Sequence, residues 1–412
     1  MFELVQNNPL LITLNIVMLI AMWYTMRPAI RYADGEVSSG RLYFTLFMWF
    51  AFDVFSFWGS DWFHLYVRYK EIMAGHPTVE YIYTWIAFHL APFNYILFRI
   101  IVWGSAQLLL WDAFKRLSVS SHLVLAVFVT VWMIWFSFGR VSLAMALVFW
   151  GLTYYYKPGN IPLLHKVIGI LAILLSFYFH KSSIFLIFVA FLTILTNKIT
   201  RMGFVLSFIA LPALVYMLNK EYIDIILSSM TDKIHDLDAY VMKAQYYMET
   251  EEKENTGIGP LIGILLEKIP FYVISALGLV AIFNDKGNQE YEAYAEIEEA
   301  EAEEGETSMG YDEEEEEAEL ATGIPEDIKV YIRILFFIVF FSSFFLLNIA
   351  MNTQVLYDRL IKFSLVPATV IVAYLLENQK YVRYAWWTYC LALLGTCYQM
   401  IYMLYCSITN AK

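Results

Sequence analysis

From Leu163 to Lys198 the chain reads LLHKVIGILAILLSFYFHKSSIFLIFVAFLTILTNK. Two apolar runs, 163–179 and 182–198, flank the pair His180-Lys181. Crossing the hydrocarbon core of a bilayer takes roughly 20 mostly apolar residues in a helix, because no backbone group can stay unpaired there. The stretch therefore predicts two membrane-spanning helices joined by a tight turn that carries a His and a Lys.

The rest of the chain has the same character. Apolar residues make up 60% of the 412 residues and charged residues 16%, whereas a soluble domain has about 45–50% and about 25%. The mean hydropathy of +0.56 leaves too little polar surface for a soluble enzyme, a nucleic-acid binder, a disordered regulator or a secreted disulfide module. We predict an all-α, polytopic integral membrane protein with about 12 transmembrane helices. The predicted spans lie near 10–27, 41–58, 93–113, 120–137, 139–156, 163–179, 182–198, 203–219, 259–283, 329–348, 359–377 and 384–406.

Three segments depart from this pattern. Residues 59–92 are apolar but interrupted by charges and two prolines, which predicts interfacial or re-entrant helices over 60–91, the last ending at Ala91 before Pro92. Residues 220–256 are amphipathic and predict an external cap. Residues 285–327 contain 19 acidic and one basic residue, and a segment of this kind buries too little apolar area to order itself.

The predicted organisation is a transmembrane core (1–284), an acidic cytoplasmic linker (285–327) and further helices of the same core (328–412). The net charge of −12 arises from the linker, and the remainder of the chain carries +6. The linker is predicted to be a solvated, disordered segment, with docking to a basic cytoplasmic partner as the alternative.

The orientation follows from the basic residues in the short loops. One set of alternate loops holds 11 Lys or Arg and the opposite set holds 5. Because cytoplasmic loops are enriched in Lys and Arg, the first set is predicted to be cytoplasmic. The His180 turn then lies on the external side of the membrane.

With this orientation, ionisable residues gather at the external face. They are Asp61, Glu80, Arg99, Arg140, His180, Lys181 and Arg359. Charges beside hydrocarbon cost roughly 2.5–3.5 kcal/mol each on insertion scales, so they often line a wet, functional cavity. Terminal Arg and Lys also snorkel to lipid headgroups, and His180 at a turn could cap helix carbonyls.

A basic cavity with apolar walls suits a lipid-linked phosphate or diphosphate, because guanidinium groups match phosphate oxygens and stay charged when desolvated. The chain has 30 Tyr and 12 Trp, which form interfacial belts or stack on sugar rings. The candidates for sugar stacking are Trp62, Tyr66, Tyr81 and Trp85. No cofactor or metal is expected: Cys390, Cys397 and Cys406 form no metal-ligand or disulfide pattern, and no acidic metal motif other than Asp236-Leu237-Asp238 faces outward.

Four passages resemble the EpsG family of exopolysaccharide polymerases, a branch of the Wzy-like group. They are FGRVSLAMAL from Phe138, FHKSSIFLI from Phe179, SDWFHLYVRY with PTVEYIYTW in the region 60–85, and YDRLIKF from Tyr357. Their order and the spans between them agree over most of the chain. The form at Glu80 departs from the family's pattern, and the acidic insert is not a family feature.

This resemblance implies a GT-C/Wzy-like fold in the bacterial cytoplasmic membrane and glycosyl transfer at its outer side. The implied substrates are two undecaprenyl-diphosphate-linked oligosaccharides. We expect Arg140, Arg359 and His180, with Arg99 and Lys181, to contact the diphosphate. Asp61 is the first candidate for the proton acceptor and Glu80 the second.

Two other readings remain open. An O-antigen-ligase-like glycosyltransferase would use the same cations with a different acceptor. A transporter or flippase for lipid-linked sugars would need charges deep in several spans, where Arg99 is the main one in this sequence. A chain-length regulator or a flippase of the same pathway is an expected partner, and nucleic acid is not.

Overall fold

The computed structural model of the chain describes residues 9–31, 37–56, 60–76, 81–137, 141–156, 162–195, 268–284, 324–348, 357, 360–378 and 380–409. Every regular element within these residues is a helix, which confirms the predicted all-α class. The predicted span 203–219, the predicted cap 220–256 and nearly all of the acidic tract lie outside the described residues.

Numbered in chain order, the helices are α1 (Pro9–Arg31), α2 (Ser39–Phe55), α3 (Ser60–Met73), α4 (Tyr81–Trp85), α5 (Tyr95–Phe114), α6 (Ser121–Val127), α7 (Met133–Ser137), α8 (Ser142–Tyr156), α9 (Leu163–Phe179), α10 (Ser183–Leu195), α11 (Lys268–Asn284), α12 (Glu326–Asn348), α13 (Leu365–Glu377) and α14 (Val382–Thr409). A π-helical turn, Ile86–Leu90, continues α4, and a second one, Phe128–Trp132, joins α6 to α7. A 3₁₀ turn, Lys362–Ser364, leads into α13.

The predicted spans agree with these helices to within a few residues where both are described. Among the described residues, Tyr95–Phe114 is long and apolar enough to cross a membrane, whereas Ser121–Phe136, Leu163–Phe179, Ser183–Thr193 and Lys268–Asn284 are apolar but shorter. The number of 12 spans therefore stays a prediction. Residues 60–73 and 81–90 are helical, as expected for the interfacial segment.

The start of α12 differs from the prediction. The sequence predicts Glu326 and Asp327 to belong to the acidic linker, but they form the first turn of α12, and Asp327 is buried. The backbone N–H of Ser118 and its hydroxyl donate to the two carboxylate oxygens of Asp327 at 2.8 and 2.9 Å. These two hydrogen bonds fix the start of the helix, which composition alone could not reveal.

The outward face of α9 is apolar. Exposed apolar residues recur along it at helical spacing and include Leu164, Val167, Leu171, Leu174 and Tyr178. The opposite face buries Gly169, Ala172, Ile173 and Ser176, three of which are small. Soluble monomers rarely expose a continuous apolar face of this kind, which is typical of a helix that packs inward through small residues and outward against lipid.

Helices α8 and α9 cross at two glycines. A Cβ on Gly151 would lie 2.5 Å from the carbonyl oxygen of Gly169, and one on Gly169 would lie 2.6 Å from that of Gly151. Tyr154, one turn after Gly151, stacks on His165, one turn before Gly169 (5.6 Å between ring centroids), so the two helices run antiparallel. The start of α8 and the end of α9 therefore lie at the same end of the helix bundle.

The connections of the bundle meet at two ends. At one end, Ser118 before α6 contacts Asp327 in α12, and the backbone N–H of Ser120 donates to Glu377 at the end of α13 (3.4 Å). The His180 turn lies at the other end, about 25 Å away along the 17 residues of α9 from its start at Leu163. The topology of the chain in a membrane, and the side that each end faces, stay predictions.

Candidate functional site

The turn between α9 and α10 holds His180 and Lys181, both half-buried. His180 caps α9 in an extended conformation, and its backbone N–H donates to the carbonyl of Ser176 at 3.0 Å. The backbone N–H of Ser183 donates to the His180 carbonyl at 3.0 Å, so the turn is closed. Nδ1 of His180 lies 2.5 Å from the hydroxyl oxygen of Ser182. With Ser182 as the donor, the ring proton is on Nε2, from which an imidazole donates to an anion.

An aromatic cluster holds this turn against the predicted interfacial helices. The ring of Phe179 meets Tyr83 of α4 edge-on at 6.0 Å, and Phe98 of α5 lies 6.1 Å from Tyr83 and 5.3 Å from Tyr69 of α3. Burial raises the pKa of the Tyr69 phenol, which stays protonated and donates to the carbonyl of Ala91. Helices α3, α4 and α5 therefore converge at the end of α9.

Arg99 is almost fully buried, at 2% exposure. Its Nη2 donates to the carbonyl oxygens of Asp53 at 2.5 Å and Ser56 at 3.1 Å. These carbonyls end α2, where the helix dipole favours a cation. The guanidinium carbon also lies 5.2 Å from the Trp103 ring. The described contacts thus give Arg99 a role in holding α2 against α5, and its contact with a diphosphate stays a prediction.

The two described candidates for sugar stacking differ in their surroundings. The Tyr66 ring meets Tyr95 edge-on at 5.2 Å and has the Lys70 ammonium 4.9 Å from its centroid. Trp85 is 53% exposed and contacts His89 at 5.2 Å. Trp85 therefore offers more ring surface to a ligand than Tyr66 does.

Several predicted site residues cannot be placed fully. Glu80, Arg140 and Arg359 lie outside the described residues. Asp61 and Trp62 belong to the first turn of α3 and Tyr81 begins α4, but their side chains fall outside the described part of the chain. Their predicted roles are untested by this geometry.

The residues next to Arg140 belong to the same end of the bundle as His180. Ser142 begins α8 directly after Val141, and the Ser142 hydroxyl donates to the Phe136 carbonyl at 2.5 Å, which ties α8 to α7. From the crossing with α9, α8 runs back nine residues, or about 14 Å, to Ser142. The end of α9 lies a similar distance beyond the crossing.

Residues on both sides of Arg359 are also described. Tyr357 is fully buried, and its hydroxyl lies 3.2 Å from that of Tyr272 in α11. The Tyr272 hydroxyl in turn lies 2.8 Å from Oγ of Ser343 in α12. This chain of hydroxyl groups fixes the backbone just before Arg359 against two helices.

An aromatic contact links the start of α13 to the His180 turn. The ring of Phe363 packs 6.0 Å from that of Phe185, which lies in the first turn of α10. Phe185 follows His180 by five residues. Residues 360–363 therefore lie at the end of the bundle that carries the turn.

Two lysines that the sequence did not single out, Lys268 at the start of α11 and Lys362 before α13, line one cleft. Two signals could have indicated them. Lys268 opens an apolar run just before Pro270, and Lys362 lies in YDRLIKF, one helical turn after Arg359.

The fold and this site define a helical bundle that exposes many apolar side chains and carries His180 and Lys181 in a closed turn at one end. A sequence profile of the EpsG family matches residues 41–411, nearly the whole chain, and the chain belongs to this family. No curated protein and no solved structure matches it. Membership confirms the resemblance seen in the motifs and implies membrane association and a polysaccharide polymerase-like function.

Proposed function

We propose that this protein joins polysaccharide repeat units carried on undecaprenyl diphosphate, by glycosyl transfer at the outer side of the bacterial cytoplasmic membrane. One glycan leaves its lipid diphosphate and is transferred to a hydroxyl group of the repeat unit on a second lipid.

The observation that carries this proposal is the common location of the described flanks of three predicted cations. The His180 turn, the start of α8 after Arg140 and residues 360–363 after Arg359 belong to one end of the bundle. A single Arg, Lys or His that only reaches lipid headgroups would not require the other two segments to lie at the same end. The apolar outer face of α9 supports a location of this end beside lipid, which a lipid-linked substrate requires.

The Arg, Lys and His side chains have a chemical task in this reaction. Breaking the anomeric bond builds negative charge on the diphosphate leaving group, which Arg140, Arg359 and His180 stabilise together with Lys181. The Ser182–His180 hydrogen bond orients the imidazole before the substrate arrives, so no reorganisation is needed during the reaction. Loss of such a preorganised group commonly lowers the rate by about 10²–10³.

The acceptor hydroxyl group must lose a proton. Asp61 is the proposed proton acceptor and Glu80 the alternative, because a carboxylate commonly serves this purpose in inverting sugar transfer. Asp61 lies in the first turn of α3, and α3 joins the aromatic cluster beside the end of α9 through Tyr69.

The experiment measures chain elongation by purified protein in liposomes that contain lipid-linked repeat units. We expect elongation without nucleotide sugar or added metal, and a loss of about 10²–10³ in rate for Arg140→Ala, His180→Ala and Arg359→Ala. Lys166→Ala is the matched control, because Lys166 is an exposed cation near the start of α9, at the opposite end of the bundle. A His180→Ala variant that elongates chains at the wild-type rate would contradict the proposed role of the turn.

The same assay separates the alternative functions. Transfer of a glycan to an acceptor other than a repeat unit would indicate the ligase-like enzyme. Passage of lipid-linked sugar across the bilayer without elongation would indicate a transporter or flippase, and the polymerase proposal would then be wrong.

A further inference from the structure

The turn that leads into α5 has an unusual backbone. The backbone N–H of Asn94 donates to the carbonyl oxygen of Ala91 at 3.3 Å, so residues 91–94 form a β-turn with Pro92 and Phe93 at its centre. Phe93 has a φ of +55°, and no other non-glycine residue in the described ranges has a positive φ. Proline followed by a residue with positive φ is the pattern of a type II turn, which favours Gly or Asn at the second of these positions. A bulky side chain there strains the backbone.

Contacts from both neighbouring helices hold the turn in this conformation. The Tyr69 hydroxyl, from α3, donates to the same carbonyl oxygen of Ala91. The backbone N–H of Phe93 lies 3.5 Å from Sδ of Met73, the last residue of α3, to which it donates. The side chain of Asn94 caps the start of α5. The turn is therefore attached to α3 at two points and to α5 at a third.

The Phe93 ring gains little from packing inside the protein, because the residue is 86% exposed. In water, Gly or Asn at this position would remove both the strain and the exposed apolar area. An exposed aromatic ring on a strained backbone therefore indicates a contact with a partner outside the chain.

The outward face of α5 indicates what that partner is. Leu97, Ile100 and Leu108 are exposed and recur at helical spacing on one face of α5. Among the described helices, α5 is the one long and apolar enough to cross a membrane, so this face suits lipid hydrocarbon. Phe93 precedes Leu97 by four residues and lies just before the start of this face. The apolar surface of α5 thus continues into the strained turn.

The helix to which the turn is attached carries charges instead. In α3, Arg68 and Lys70 are exposed, and Arg68 forms an ion pair with Glu71 at 2.7 Å. Charged side chains are costly in hydrocarbon, so α3 suits the headgroup region beside it. The turn of Phe93 therefore joins a surface that suits hydrocarbon to a helix that suits headgroups.

We propose that Phe93 is a membrane anchor, whose ring inserts into the hydrocarbon of the bilayer and holds α3 at the level of the headgroups. The partner is the lipid bilayer, and removal of the ring from water offsets the strain in the turn. This proposal needs only the membrane association that the family implies, and it stands apart from the proposed reaction. Its consequence for that reaction is that the depth of Phe93 sets the height of α3, and so of Asp61, at the membrane surface.

The test uses nitroxide spin labels on single cysteines in the full-length chain without native cysteines, reconstituted in liposomes of phosphatidylcholine and phosphatidylglycerol. The accessibility of each label to oxygen, which concentrates in hydrocarbon, is compared with its accessibility to a water-soluble nickel chelate. We expect labels at Phe93→Cys and Leu97→Cys to be more accessible to oxygen, and a label at Ala74→Cys, just after α3, to be more accessible to the chelate. Chelate accessibility at Phe93→Cys equal to that at Ala74→Cys would overturn the assignment.

A second measurement tests the hold on α3 while it preserves the turn. Asn tolerates a positive φ, so Phe93→Asn removes the ring and keeps the backbone conformation. With a label at Val67→Cys on α3, we expect Phe93→Asn to shorten the rotational correlation time of the label, whereas Phe93→Trp should leave it unchanged.

The matched control is Phe44→Asn, which removes an exposed ring near the start of α2, at the other end of the bundle. It should leave the mobility of the Val67→Cys label unchanged. If Phe93→Asn also leaves that mobility as it is in the wild type, Phe93 does not hold α3 at the membrane and the proposal is wrong.

Discussion

The substitution Gly151→Ala adds one methyl group where α8 crosses α9. The added Cβ would lie 2.5 Å from the Gly169 carbonyl oxygen and 2.8 Å from Cγ1 of Ile173, and real Cβ atoms essentially never approach other atoms within 3.0 Å. The reciprocal Gly169→Ala would place its Cβ 2.6 Å from the Gly151 carbonyl oxygen. Because the obstacle is backbone, no change of side-chain rotamer relieves it, and the helices must move apart.

The expected change in the stability of Gly151→Ala is the sum of two opposing effects. Overpacking of a close contact costs about 1–3 kcal/mol, and a clash with backbone belongs at the upper end of that range. Alanine in place of glycine in a helix interior returns about 1 kcal/mol. The net loss for Gly151→Ala is therefore about 2 kcal/mol, which lowers the ratio of folded to unfolded protein about thirtyfold. Elongation should also fall, because the crossing sets the distance between Ser142 and His180.

The assay is thermal denaturation of the purified variants in detergent, followed by the fraction that stays monodisperse in gel filtration. The matched control is Gly40→Ala in α2, where no atom lies within 4 Å of the added Cβ. The control should gain about 0.4–1 kcal/mol, because alanine reduces the freedom of the unfolded chain. If Gly151→Ala melts at or above the wild-type temperature, as Gly40→Ala should, the close approach of α8 and α9 is wrong.

Two further predictions concern the position of Arg359 and the orientation of the chain. Tyr272→Phe removes the hydroxyl group that lies 3.2 Å from that of Tyr357. The protein should lose about 1 kcal/mol of stability, so the melting temperature and the elongation rate should both fall. The control Tyr24→Phe, at an exposed position, should change neither. In a variant without native cysteines, an impermeant maleimide added to intact cells should label Ala74→Cys but not Lys115→Cys, and equal labelling of both would contradict the predicted orientation.

The helices that the sequence predicted best are those with marked ends. The span 163–179 coincides with α9, because Pro162 precedes it and the His180-Lys181 turn follows it. The span 120–137 was predicted as one regular helix, but a π turn divides it. The Val131 carbonyl within that turn accepts a hydrogen bond from Thr396, 265 residues away along the chain. Local hydropathy cannot predict a hydrogen-bond partner that is so distant along the chain.

The candidate site was predictable where its residues are neighbours in sequence. His180, Lys181 and Ser182 form one turn, so a short motif is enough to identify them. The cleft of Lys268 and Lys362 depends on four helices from distant parts of the chain, and each lysine alone looks like a terminal residue that snorkels to headgroups. For Arg99 the sequence suggested more than the described contacts show. Its charge predicts a contact with a ligand, whereas its described contacts include the C-terminal carbonyls of α2.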